Sequence, residues 1–302
     1  MRMTPAQALE HLEVLAAPCI LCERRCGAMR SDDELGHCGL GASAHVYNRL
    51  LHFGEEAPLV PSYAIFLTGC SMACSFCSEA AHLRPPFDAP VTDPEVLAMK
   101  VALDLTAGAS EAKNINFVGG EPSISMPFIA RFAVALDKLL EERPPLLLNT
   151  NGYLTPEALA LATHLFDIWV VDLKFGDDRC AGRIADTPLY LDTLKRNLGW
   201  LHDGHEGGSQ TLGVPVLPVN LWVRHLLMPG HRTCCTEPVL TWTAERLPLA
   251  HLNVMTAFHP FGLPDNDRWR SLSEQDRTSA RSLLLEKGHS EAYFDGRRCL
   301  RP

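Results

Sequence analysis

Six near-continuous apolar runs punctuate the second half of the first hundred residues and everything after: "YAIFLTG", "NINFVGG", "PLLLNTNG", "DIWVVDLK", "LWVRHLLMPG" and "HLNVMTAFHP". Runs this short and this apolar read as strands of a parallel sheet buried on both faces. The segments between them carry helix signals. Thr92-Asp93-Pro94-Glu95 supplies a cap and a first-turn proline, Leu97, Val101 and Leu105 recur at four-residue spacing, and Gly108 closes the pattern. Thr155-Pro156 and Glu237-Pro238 start two more helices in the same way. Strand and helix alternating six times predict parallel β/α units, two short of a closed eight-unit barrel. The fold class expected is therefore α/β, a partial (β/α)6 barrel.

The boundaries follow from the same pattern. Residues 1–60 read as a small cysteine-rich module beginning with a helix, "PAQALEHLEVLA"; residues 61–262 as the barrel; and residues 263–302 as a C-terminal helix and tail. "HDGHEGGSQTLGVPV" reads as an exposed loop.

Polar residues gather where each strand ends. Cys70 follows the first strand, Gly119-Gly120-Glu121-Pro122 the second, Asn149-Thr150-Asn151-Gly152 the third and Asp172-Leu173-Lys174 the fourth; Arg224 and His225 lie on the fifth, and His259 follows the sixth. The C-terminal rim of β/α units is where chemistry is built, so these residues are expected to share one site.

Composition narrows the options. The 302 residues are 46% hydrophobic and 21% charged, as in a globular chain with a sizeable core. Lys and Arg total 27 against 36 acids, a net charge of −9, which argues against general nucleic-acid or membrane-surface binding. The opening "MRMTPAQALEHLE" lacks an apolar leader and no run suits a membrane span, so the chain reads as cytoplasmic. In a reducing compartment eleven cysteines point to metal binding or chemistry rather than disulfides.

Cys70-x3-Cys74-x2-Cys77 offers three soft thiolates in one loop. Soft thiolates select zinc, copper(I) or iron–sulfur, and both structural zinc and a [4Fe–4S] core normally take four ligands. Three leave one iron open to a ligand. Cys19-x2-Cys22-x3-Cys26, with Cys38 beyond, supplies a complete set of four, suited to an auxiliary [4Fe–4S] cluster or to zinc. Such a metal would also help fold so short a segment. Arg24, Arg25 and Arg30 add local positive charge there, read either as a solvated basic face or as a dock for an acidic electron donor.

The loop Cys70-x3-Cys74-x2-Cys77, with Phe76 before its last cysteine, resembles the signature of the radical S-adenosylmethionine (SAM) enzymes. That resemblance implies SAM on the open iron, and reductive cleavage that yields methionine and a hydrogen-abstracting 5′-deoxyadenosyl radical. Gly119-Gly120-Glu121-Pro122 resembles the family's GGEP element, which implies that Glu121 receives the SAM ammonium, with Phe76 beside the adenine. "DLK", "VRHLLMPG" and "VMTAFHPFG" look like SAM-holding segments of glycyl-radical-enzyme activases, which implies Lys174 and Arg224 at the carboxylate, His259 at the ribose, and Asn149 and Asn151 along the same wall. From "CILCERRCGAMR" to "NVMTAFHP" the chain is similar to the PflX-like branch, named for pyruvate formate-lyase activating proteins; that branch includes an epimerase of orthosomycin antibiotic biosynthesis. One departure stands out: Ser78-Glu79-Ala80-Ala81 follows Cys77, where the branch reads Gln-Asn with an aromatic.

The resemblance implies an enzyme, most simply one that inverts or otherwise modifies a C–H centre of a small molecule or glycan; an activase installing a glycyl radical on a partner and a non-catalytic iron–sulfur carrier or sensor are the alternatives. An epimerase needs a second hydrogen donor, and Cys180, Cys234 and Cys235 on rim loops are the candidates. A flavodoxin or ferredoxin is the expected electron donor, with neither nucleic acid nor membrane as partner.

Overall fold

The computed structural model describes residues 2–30, 34–204, 214, 216–217, 219–261, 269–289 and 291–299. All six expected strands are present: β2 (Ser62–Leu67), β4 (Ile115–Gly119), β5 (Leu146–Thr150), β6 (Ile168–Asp172), β7 (Asn220–Leu226) and β8 (His251–Met255) pair side by side and parallel, in that order. Leu146, Leu147 and Leu148 are fully buried, as a strand covered on both faces requires.

The sheet is larger than the sequence pattern suggested. β1 (Ala44–His52) runs antiparallel to β2, with the short β3 (Val91–Thr92) beyond it. At the other end β9 (Ala292–Phe294) adds a seventh parallel strand beside β8, followed by the antiparallel β10 (Arg297–Arg298). The resulting ten-stranded sheet runs from β10 to β3 without closing, an open partial barrel. The segment expected to end in a mere tail thus contributes to the sheet.

The helices start where capping chemistry places them. α1 (Pro5–Ala16) has a capping box at Thr4 and Gln7; α2 (Pro94–Ala107) is capped by Asp93 and α4 (Pro156–Leu165) by Thr155, each with proline in the first turn. α3 (Met126–Leu136) follows the Gly-Gly-Glu-Pro turn, α5 (Asp178–Ala185) and α6 (Tyr190–Asp203) lie between β6 and β7, α7 (Glu237–Arg246) joins β7 to β8, and α8 (Glu274–Lys287) precedes β9. Leu12 and Leu15 of α1 enter the same buried cluster as the barrel residues Ile65 and Phe117. Helix α1 therefore packs into the barrel core, while Cys22, Cys38 and Leu40 form a separate small cluster with Ile124. Of the loop expected around residues 202–216, most lies outside the described residues. No helix among the described residues is long and apolar enough to cross a membrane.

Candidate active site

The strand ends surround one cavity of about 370 Å³, and Cys70, Cys74, Phe76, Cys77, Gly119, Gly120, Asn149, Asn151, Lys174, Arg224 and His259 all line it. Residues from five strand ends and from the loop after β2 are thus brought together. Glu121, Cys180, Cys234 and Cys235 are not on its wall.

The glycines explain how the rim closes. A Cβ on Gly120 would sit 1.9 Å from the Gly69 carbonyl oxygen, so only glycine lets the end of β4 lie on the cysteine loop. Two backbone bonds seal that contact, Gly120 N to Leu67 O (2.7 Å) and Glu121 N to Gly69 O (2.8 Å). The Glu121 carboxylate turns inward, accepting from Thr150 Oγ1 (2.6 Å), Asn151 N (2.7 Å) and Ser123 N (3.1 Å). Burial raises its pKa against the pull of these donors. Asn151, held in this way, directs its amide to Ser71 Oγ (3.1 Å) and towards Cys70 Sγ (3.8 Å).

Cys70 is buried and Cys74 and Cys77 are half-buried, and the three thiols are near enough to act on one another's charge. Burial pushes Cys74 up to about 12, opposed by the Lys174 charge, and burial together with the Glu121 carboxylate raises Cys70. As metal ligands they would be deprotonated, and the soft, convergent donor set with no fourth thiol on the wall fits a cluster that keeps one iron open. The loop is braced from behind, with Ala73 N bonded to Ala185 O (3.0 Å) and Ser75 N to Ile184 O (2.9 Å) at the end of α5.

Two cations expected to meet a ligand carboxylate already face protein acids. Lys174 pairs with Asp172; burial works against its charge, but Asp172 and the Cys74 thiol outweigh it and the pKa rises. Arg224, deeply buried, spans Glu56 Oε1 (2.7 Å) and Oε2 (2.6 Å) and also meets Glu55. Asn253 Nδ2 donates to Glu56 (2.7 Å) and Asn116 Nδ2 to Glu55 (3.0 Å). These two acids of "HFGEEAP" were given no role by the sequence, although adjacent carboxylates beside an apolar strand were the available signal. Glu79, in the segment that departs from the branch, lines the cavity mouth and accepts from Tyr47 Oη (2.7 Å). Phe76 lies 5.6 Å from Phe258 between ring centroids, and His259 5.6 Å from Phe261.

The N-terminal cysteines adjoin this site. Cys22 is pushed up to about 12, first by burial and then by the neighbouring thiols of Cys38, Cys19 and Cys26. A Cβ at Gly36 would lie 3.4 Å from Cys38 Sγ and 3.5 Å from Cys26 Sγ, so those two sulfurs face one point. The arginines beside them have protein partners: Arg24 Nε donates to Ser71 O (2.9 Å), Arg30 to Gly41 O (2.9 Å) and Ile124 O (2.5 Å), and Arg25 pairs with Glu23 and Glu157.

Comparison with known proteins agrees with this geometry. The family model of the radical SAM superfamily matches residues 64–230. "Uncharacterized protein MJ0674" of Methanocaldococcus jannaschii is 32% identical over 283 residues, covering 92% of this chain and 77% of that protein. The 7-carboxy-7-deazaguanine synthase of Methanothermobacter thermautotrophicus is 34% identical over 125 residues, 40% of this chain and 46% of its own. Streptococcus suis SuiB bound to S-adenosylmethionine shares the fold at TM-score 0.51 and 10% identity, over 74% of this chain and 47% of SuiB, so the chain spans about half of that structure. The chain belongs to the radical SAM superfamily. That membership implies SAM-dependent radical chemistry with a [4Fe–4S] cluster.

Proposed function

We propose that this protein binds SAM in the cavity lined by Cys70, Cys74 and Cys77 and takes a hydrogen atom from a polar small molecule or sugar-containing natural product, for epimerisation or a related C–H modification. The observation that carries this reading is the convergence of those three cysteines with Asn149, Asn151, Lys174 and His259 on one cavity. When bound, a cluster on the three thiolates supplies the electron that cleaves SAM and so generates the abstracting radical.

The chain's own residues take the remaining roles in this proposal. Lys174, charge-balanced by Asp172, receives the SAM carboxylate together with Arg224, which lies in register with Asp172 on the neighbouring strand and is held by Glu55 and Glu56. His259 serves the ribose and Phe76 the adenine, while the backbone of Gly119 and Gly120 allows close approach. Glu121 acts through Asn151 and Thr150, which it holds in place. The N-terminal set, Cys19, Cys22, Cys26 and Cys38, holds an auxiliary [4Fe–4S] cluster or zinc, with a flavodoxin or ferredoxin as electron source.

An epimerisation also needs a return hydrogen, and the candidate donors Cys180, Cys234 and Cys235 do not line the cavity. The same placement favours a second reading, a glycyl-radical activase, which needs no return hydrogen. Solvent deuterium appearing at carbon in a small-molecule product supports the first; a glycyl radical signal on a partner protein, without such a product, supports the second. Absence of 5′-deoxyadenosine under reducing conditions would leave only an iron–sulfur carrier or sensor.

A further inference from the structure

We infer that Cys180, His231, Cys234 and Cys235 form a closed four-ligand site for one zinc ion, separate from both other cysteine sets. Their donor atoms all lie within 4.8 Å of one another. Cys180 Sγ is 3.7 Å from Cys234 Sγ and 3.6 Å from His231 Nδ1, and Cys234 Sγ is 3.3 Å from His231 Nδ1. A tetrahedral zinc with Zn–S of about 2.3 Å and Zn–N of about 2.0 Å separates sulfur from sulfur by about 3.8 Å and sulfur from nitrogen by about 3.5 Å. The spacings among Cys180, Cys234 and His231 match an ion of that size at the centre, and Cys235 Sγ lies within 4.8 Å of all three.

Local structure explains the convergence. His231, Cys234 and Cys235 stand three and four residues apart, which puts them on one side of the π-helical turn Arg232–Thr236. Cys235 N and Thr236 N both donate to His231 O, at 2.9 and 3.2 Å. Cys180 closes the set from α5, and Gly176 makes the approach possible, since a Cβ there would lie 2.6 Å from Cys235 O. Cys180, His231 and Cys235 are buried, with Cys234 half-buried.

Other uses of these groups fit less well. The Cys180 and Cys234 sulfurs at 3.7 Å are not bonded, a disulfide requiring about 2.05 Å. A cuboidal cluster binds each ligand sulfur to a different iron, whereas these donors converge on one point. With all four positions supplied by protein, the ion leaves no open coordination site and its role is structural. It ties α5 to the turn after β7, and α5 in turn carries the Ile184 and Ala185 carbonyls that brace Ser75 and Ala73 on either side of Cys74. Ligation would also withdraw the three thiols from hydrogen-atom donation.

The test is metal counting on the full chain, purified anaerobically from zinc-supplied cells, in wild type, His231→Ala, Cys234→Ala and the Cys70/Cys74/Cys77→Ala triple variant. One zinc equivalent more in the wild type than in either single variant, and retained in the triple variant, is expected. A second measurement covers variants that fail to fold: peptide-mapped alkylation of Cys234 in metal-stripped wild type should slow roughly tenfold or more on adding zinc. Equal zinc in wild type and folded single variants, iron in place of zinc, or an alkylation rate indifferent to zinc would overturn the assignment.

Discussion

The backbone amide of Cys70 donates to the carbonyl of Cys38 at 3.3 Å, joining the first thiol of the cavity loop to the last thiol of the N-terminal set. Arg84 spans the same seam, donating to Cys70 O (2.9 Å), Leu83 O (2.8 Å), Met72 O (3.4 Å) and Cys38 O (3.5 Å). Arg84→Met strips these carbonyls of a charged donor and should cost about 2–4 kcal/mol. Chemical denaturation checks the stability, and metal analysis should show both cysteine sets losing metal together. Loss confined to one set would mean that the seam does not couple them.

Gly120→Ala tests the close approach at the rim. Its Cβ would meet the Gly69 carbonyl oxygen at 1.9 Å, and both sides of that clash are backbone. A destabilisation of about 3 kcal/mol or more is expected, with weakened metal retention in the loop. Gly199→Ala is the control: it lies in α6 with nothing within 4 Å of the added carbon, and should stabilise by about 0.5–1 kcal/mol. Thermal melts of the two variants should move in opposite directions.

The Arg224 clamp predicts strong non-additivity. Glu56→Ala leaves a buried guanidinium with a lost partner, and should cost about 3–5 kcal/mol. Removing both charges in Glu56→Leu/Arg224→Met should cost clearly less than the sum of the single variants. Additive losses in urea unfolding would show that the pair is not coupled in the folded protein.

His225 gives the protein an acid limit. Its Nδ1 lies 2.9 Å from Leu173 O and its Nε2 3.0 Å from Thr236 Oγ1, and burial pushes its pKa down to about 4. The unfolded chain takes up this proton near pH 6.5 while the folded chain does not, so folded stability falls as pH drops from about 6.5 to about 4. The shift corresponds to about 3 kcal/mol at full extent. His225→Gln should flatten this part of the stability curve; an unchanged slope would assign it to other groups.

The strands that form the cavity were legible because each is a continuous apolar run, and the helices because Asp93 and Thr155 cap them beside prolines. β1 escaped notice: its burial is irregular along its length, and a bulge interrupts the register between Val46 and Asn48. β9 spans only three residues, too short for a period to declare itself. The cysteine loop and the two glycines were legible through spacing alone. The partners of Arg224 were not, since Glu55 and Glu56 reach it from more than 160 residues away in sequence. Nor was the meeting of Cys180 with His231, which depends on how α5 lies against a turn 51 residues later.

The central claim is that three thiols in one cavity leave room for a sulfonium ligand which the reduced protein splits. Its most direct test is the yield of 5′-deoxyadenosine from SAM with anaerobically reconstituted protein and a strong reductant, compared with Cys74→Ala. Time-dependent product from the wild type, with none above background from a folded Cys74→Ala, is the predicted result. Intact SAM after reduction of cluster-loaded wild type, or equal cleavage by the variant, would contradict it.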